Sequence, residues 1–180
     1  SNVDTGGVIS IAYKDNPKFC EGYGYANKEK KEPMTCNHLM QIASNSKAMA
    51  SLLSLVASKK KAISLDEPVR INFPSFNPTS HSTGANSADT LTMRDLLNHR
   101  TGMPRHDNLW QQPFSPRSGK MTRKQIIQTI PFLEMSRPQR IKTEYNNVMY
   151  TVAGVATANG FNILNQQQQQ QQIQNDEVNG

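Results

Sequence analysis

Long apolar runs are absent from this 180-residue chain, and that excludes a membrane-spanning helix, which needs about 18 or more consecutive apolar residues. Cysteine is scarce. Cys20 and Cys36 are the only two, so one disulfide is the ceiling. Neither has zinc-ligand spacing: His38 lies two residues from Cys36, but His81, His99 and His106 are remote and complete no metal pattern. The expectation is two ordinary thiols and no metal. No Asn-x-Ser/Thr sequon free of proline occurs, which leans against a secreted life. No basic segment followed by an apolar stretch opens the chain, so no leader peptide is visible, and the reading leans weakly to the cytoplasm. An initiator Met is missing too, so the chain reads as a piece of something longer.

Acidic residues are fewer than basic ones, 14 against 20, giving a formal charge of +6. That raises a nucleic-acid partner, but the lysines do not form a binding stripe. Lys28, Lys30 and Lys31 sit in a turn-like stretch, and Lys59, Lys60 and Lys61 follow a helix-like run with no aromatic interleaving. They read as solvated surface. A chain of this length buries roughly 70% of its unfolded surface, enough for one real core.

What is present is ordered. Gly7–Tyr13 alternates like a strand, Lys14 to Pro17 is a turn cluster, and Phe19 to Asn27 reads as a second strand, so a hairpin is expected. The glycines between its aromatics suit a strand packed close to another backbone. Ser44, Asn45 and Ser46 offer cap chemistry to a helix over Ala48 to Ala57. That segment is apolar or small nearly all round, which predicts a buried helix. Residues 79–90 read as a polar, flexible excursion. Thr92 is expected to cap a short helix over Met93 to His99, ended by Gly102 and Pro104. Residues 107–120 look irregular, Thr122 caps a further helix to Ile130, and another covers Asn147 to Ala158. Gln166 to Gln172 is an unbroken glutamine tract, so residues 164–180 are expected to be a disordered low-complexity tail after a 1–163 domain.

Ser44-Asn45-Ser46-Lys47 is a Ser-x-x-Lys, a spacing that places a nucleophilic hydroxyl and an amine one helical turn apart. With 15 serines and 12 lysines in 180 residues, roughly one match arises by chance, and Ser58 to Lys61 is a second. Tyr-x-Asn likewise occurs twice, at Tyr25 to Asn27 and Tyr145 to Asn147. Context favours Ser44. It opens a helix, where backbone N–H groups can meet an oxyanion, whereas Ser58 lies at a helix exit lined with carbonyls.

Five landmarks then fall in one order: the hairpin of Gly7 to Asn27, Met40 to Lys47, Ser64 to Val69, Leu91 to Pro104, and Tyr145 to Gly154. In that order they resemble the serine β-lactamase and penicillin-binding-protein-like hydrolases, especially their class C-like esterase and D-aminopeptidase branch. The stretch Leu91 to Pro104 is similar to that family's "ITIRDLLTHTSGLP", and Tyr145 to Gly154 to its "YSNxGYxLLG". The resemblance implies an α+β, β-lactamase/transpeptidase-like fold: an antiparallel sheet plus a helical region, here truncated to the N-terminal hairpin and the helical part. It implies Ser44 as the acylated nucleophile, Lys47 as its proton acceptor, Tyr145 as proton donor to the leaving group, and Asn147 as a substrate-binding amide. It implies no cofactor, no metal, no nucleic acid and no membrane. The partner is a small-molecule or peptide substrate: a β-lactam, a D-amino-acid peptide or a small ester. His99 is tempting as a general base, but the family position looks structural.

Two departures bear on this. Pro138-Gln139-Arg140 stands where the family usually has Pro-Gly, so the approach to Tyr145 is expected to bend differently. No Lys/His-Thr/Ser-Gly triad follows residue 154. A strand carrying it would supply a second oxyanion donor, whose loss typically costs about 100- to 1,000-fold in rate. A catalytically incomplete binding or assembly module, self-associating through open sheet edges, is therefore the alternative to a hydrolase.

Overall fold

Alternation at the start of the chain produces an antiparallel pair, β1 (Gly7–Tyr13) and β2 (Asn16–Tyr23), in a computed structural model that describes residues 6–80, 89–111, 113–115 and 119–179. Lys14 and Asp15 both take left-handed backbone, φ 47° and 63°, the geometry a two-residue hairpin turn requires. The turn is thus tighter than the expected cluster, and Pro17 lies inside β2, opposite Ala12, where the register shifts. A second hairpin joins β3 (Tyr25–Asn27) to β4 (Glu32–Pro33).

Gly22 is the glycine that close backbone approach demands. A methyl there would lie 2.2 Å from the Met34 carbonyl oxygen. The Met34 N–H also donates to the Gly24 carbonyl at 2.9 Å. This return of the chain carries Cys36 to Cys20, and the two are bonded, with Cα atoms 6.1 Å apart. The expectation of two ordinary thiols is therefore corrected: spacing in sequence says nothing of a hairpin that folds one cysteine back beside the other. Such bonds persist in oxidising surroundings. These elements lie in the first of two compact units, Ser1–Ala43, and everything below lies in the second, Ser44–Gly180.

A short 3₁₀ turn, Ala43–Asn45, leads into α1 (Ser46–Lys59). Asn45 occupies the cap position with helical backbone and no side-chain cap bond, so the expected serine cap is not used. The expected burial is corrected as well. Only Ser54 and Ala57 of α1 are buried, whereas Met49, Leu52, Leu53, Leu55 and Val56 are 40% to 64% exposed. The helix turns its small and hydroxyl-bearing face inward, which counting apolar residues could not foresee.

A 3₁₀ turn over Val69–Ile71 follows, then β5 (Thr79–Ser80). Most of the predicted excursion, residues 81–88, lies outside the described residues. Helix α2 (Met93–Leu97) begins at Thr92 with a reciprocal cap: the Thr92 hydroxyl accepts from the Asp95 N–H, and the Asp95 carboxylate accepts from the Thr92 N–H. Helix α3 (Asn108–Gln111), β6 (Pro113–Ser115) and β7 (Gly119–Lys120) give short regular structure to a stretch predicted irregular. Helix α4 (Arg123–Thr129) starts at Thr122 with the same reciprocal cap, through Gln125. β8 (Glu134–Met135) pairs in parallel with β5, and β6 pairs with β7. Among the described residues, strands occur only in separate pairs.

Helix α5 (Asn147–Asn179) is the axis of this unit and packs against α1, α2 and α4. Val148, Met149, Val152, Ala153 and Ala156 face a core with Val69, Phe73, Phe76, Leu91, Met93, Leu96, Met103, Ile126 and Ile130. The helix continues through the glutamine tract to Asn179. Glutamine is a good helix former, and a helix already nucleated by packing propagates at little cost. The tract adds nothing to the core, being exposed from Asn165 to Asp176.

Gly160 marks the closest approach of α5 to the chain after α1: a methyl there would sit 2.3 Å from Ile63 Cγ2 and 2.4 Å from the Ala62 carbonyl oxygen. Gly154, on the same helix, has nothing within 4 Å of an added methyl. Gly160→Ala should therefore destabilise the fold by about 1–3 kcal/mol through overpacking, and Gly154→Ala should stabilise it by about 0.5–1 kcal/mol through helix propensity. Urea unfolding midpoints of the two variants measure this; equal midpoints would contradict the packing described.

Candidate active site

Ser44 sits in the 3₁₀ turn ahead of α1, immediately after Ala43, whose φ of 45° is left-handed and strained for a residue with a side chain. Lys47 lies one turn further on. Tyr145 and Asn147 are about a hundred residues away in sequence, one just before α5 and the other at its first position. The fold brings all four together. Ser44 Oγ lies 2.6 Å from the Tyr145 hydroxyl. Lys47 Nζ donates to Ser44 Oγ at 3.3 Å and to Asn147 Oδ1 at 2.6 Å.

The electrostatics follow from the neighbours. The Lys47 ammonium lies 4.7 Å from the centre of the Tyr145 ring and 5.4 Å from that of Tyr150. The Arg105 guanidinium lies 5.1 Å from the Tyr145 ring and pairs with Asp107 at 2.6 Å. Lys47, then the hydrogen bond with Ser44, hold the Tyr145 phenol below its ordinary value; Lys47 and Arg105 charges add to this, and partial burial opposes it.

Residues the sequence did not single out hold this arrangement. Asn146 is buried and caps α5: its Oδ1 accepts from the Met149 N–H at 2.9 Å, and its Nδ2 donates to the Met103 and Pro104 carbonyls at 3.3 and 2.5 Å. An Asn just ahead of an apolar helix was the available signal. The Tyr150 hydroxyl donates to the Leu97 carbonyl at 2.9 Å and accepts from Ser51 at 3.1 Å. Arg140, in the Pro138-Gln139-Arg140 stretch that stands where the resemblance expects Pro-Gly, takes a left-handed φ of 69°, which glycine favours. Its guanidinium grips the Asp95 carboxylate with two bonds of 2.9 and 2.7 Å and reaches the Thr90 carbonyl at 3.0 Å. Burial pushes the Asp95 carboxyl up, but the bonds from Arg140 and Thr92 outweigh it and leave it below the usual carboxylate range. Among the described residues, no group of three His, Cys, Asp or Glu is placed to hold a metal ion.

The sequence profile of the beta-lactamase family matches residues 3–161. The chain belongs to the beta-lactamase family. Relatives bear out the expected β-lactamase/transpeptidase-like fold. The octameric penicillin-binding protein homologue from Pyrococcus abyssi superposes with a TM-score of 0.69 at 20% identity, over 87% of this chain and 35% of that one. The D-amino acid amidase of Ochrobactrum anthropi, complexed with L-phenylalanine, superposes with a TM-score of 0.65 at 27% identity, over 85% and 39%. The unguisins hydrolase of Aspergillus campestris is 29% identical over 150 residues, 81% of this chain and 27% of the relative. The chain thus spans about a quarter of the curated relatives' length and somewhat over a third of the solved structures'. The matched stretch contains Ser44, Lys47, Tyr145 and Asn147.

Removing the Lys47 charge should let the Tyr145 phenol rise back toward its free value of about 10. Tyrosine Cζ chemical shifts followed against pH in the native chain and in Lys47→Met measure this. Native Tyr145 should ionise at the lower pH of the two; coincident titrations would show that Lys47 does not govern the phenol.

Proposed function

We propose that this chain carries the nucleophile half of a serine acyl hydrolase acting on an amide or ester. The observation that supports it most is the 2.6 Å contact between Ser44 Oγ and the Tyr145 hydroxyl, with Lys47 within 3.3 Å of the same oxygen. Tyr145 is closer to the serine than Lys47 is. Its phenolate, favoured by two neighbouring cations, is therefore the group that takes the Ser44 proton, and Lys47 balances the charge. The resemblance alone implies Lys47 as the acceptor; in this reading Tyr145 takes that part and keeps its implied part as proton donor to the leaving group.

Ser44 Oγ attacks the substrate carbonyl carbon, and the carbonyl oxygen becomes an oxyanion at the positive end of α1. Collapse breaks the bond to the leaving nitrogen or oxygen. That atom receives the proton Tyr145 had taken, leaving Ser44 as an acyl ester. Water then adds to the ester, giving a proton to Tyr145; collapse returns it to Ser44 and releases the acid. Asn147 has its Oδ1 turned to Lys47, so its Nδ2 is left to donate to a substrate carbonyl. The name of the D-amino acid amidase favours an amide substrate, with β-lactams, D-amino-acid peptides and small esters the chemical classes to try.

Incubation with a fluorescent penicillin and with an activated ester, read by intact mass, tests this. A single adduct mapped to Ser44 and absent in Ser44→Ala is the expected outcome. A folded chain that takes no adduct from either probe would favour the alternative, a binding module that holds substrate without acylation.

A further inference from the structure

His99 grips the backbone on both sides of Tyr145. Its carbonyl accepts from the Glu144 N–H at 2.7 Å, and its ring Nδ1 accepts from the Asn146 N–H at 3.1 Å. Its ring lies tilted against the Tyr145 ring, centroids 4.6 Å apart, and against Tyr150 at 5.0 Å. The residue itself takes a left-handed φ of 58°, a strained conformation for a side chain of this size, at the end of α2. Three contacts converging on one residue and its two flanking peptides form a clamp, and the clamp sets where the phenol points.

We propose that His99 is the positioning residue for Tyr145: its neutral imidazole, protonated on Nε2, holds the phenol against Ser44, and its protonation releases it. The inference rests on the reading of Tyr145 as the proton carrier. The tautomer follows from the bond, since a ring nitrogen that accepts from a backbone N–H carries no proton of its own. An imidazolium would set a second donor against the Asn146 N–H and a second cation beside Lys47. Lys47 from α1 is the charged group that bears on the ring; the hydroxyls of Tyr145 and Tyr150 are the other titratable groups beside it. Burial, then the Lys47 charge, hold the imidazole below its ordinary value, so the clamp is closed at neutral pH.

Two variants separate the ring from the backbone. His99→Asn keeps an acceptor near the Nδ1 position, tolerates left-handed backbone and cannot titrate. His99→Gly keeps the backbone and removes the acceptor. The rate of Ser44 acylation by p-nitrophenyl acetate, followed from about pH 5 to 8, should fall for the native chain as His99 protonates. His99→Gly should be slower by about 10- to 100-fold at the upper end of that range, the loss expected for a reacting group misplaced by about 1 Å. His99→Asn should restore most of that loss and lack the His99 fall at low pH. A His99→Gly chain with the native rate and profile would overturn the proposal, and so would a His99→Asn profile that superimposes on the native one, since the fall that protonation of Tyr145 itself gives is common to both chains. Nitrogen-15 spectra of the native chain give a reading that needs no turnover. His99 should be the Nε2–H tautomer, and the Asn146 amide should shift with its titration. An Nδ1–H tautomer, or an Asn146 amide indifferent to His99, would also overturn it. A native chain that is never acylated would instead sink the hydrolase reading, while the spectra still decide the clamp.

Discussion

Helix α1 meets α5 through hydrogen bonds, and the site exists because of that meeting. Three rungs run along the seam: Lys47 to Asn147, Ser51 to Tyr150, and Ser54 to Thr157, at 2.6, 3.1 and 3.0 Å. On α1 these positions are four and then three residues apart, the spacing of one helix face. The last rung is fully buried: one of its two hydroxyls donates to the other, and the hydroxyl that accepts donates in turn to the carbonyl four residues back on its own helix, Ala50 for Ser54 or Ala153 for Thr157. Each such bond contributes about 0.5–1.5 kcal/mol net, but leaving one partner buried and unsatisfied costs about 1–3 kcal/mol. A slip of α5 along α1 would leave all three rungs unmatched, so the register is set more sharply than oily contacts alone would set it.

That register determines what Ser44 and Lys47 face. Small residues on both helices let the backbones come close, and Gly160 does the same where α5 crosses the chain at Ala62. With the helices fixed, the first residue of α5 must fall at Lys47, and the residue two before it at Ser44. Nothing in the seam dictates how the chain enters α5, however. That is the work of a second set of contacts: the Asn146 cap, the His99 bonds to residues 144 and 146, and the Arg140 bonds to Asp95. Three positions in this region, His99, His106 and Arg140, hold left-handed backbone without being glycine. Such conformations cost on the order of 1 kcal/mol or more each and persist only where surrounding bonds over-determine them. For His99 and Arg140 the bonds are visible, and both lead to Tyr145.

The departure at Arg140 illustrates how far reading along the chain can go. Pro138-Gln139-Arg140 in place of Pro-Gly suggested a different path to Tyr145. At Arg140 the backbone takes a left-handed conformation, and the side chain that makes this costly also anchors it, through a carboxylate already ordered by the Thr92 cap. The reciprocal caps at Thr92 and Thr122 were legible because they depend on residues three apart. The disulfide and the exposed face of α1 were not, because each depends on what a distant segment does.

Local chemistry and order along the chain were enough to name the first hairpin, the caps at Thr92 and Thr122, the helix starts that follow them, the Ser44–Lys47 turn and, through five landmarks in one order, the family. These depend on neighbours within a few residues or on linear succession. Tertiary structure alone decided that Tyr145 meets Ser44, that the phenol is nearer the serine than the amine is, that α1 buries Ser54 and shows its leucines, and that His99 bonds the peptides on both sides of Tyr145. Each of these is a distance between groups far apart in sequence. Such distances are set by the packing of α5 against α1 and α2, and no spacing within a single segment encodes them.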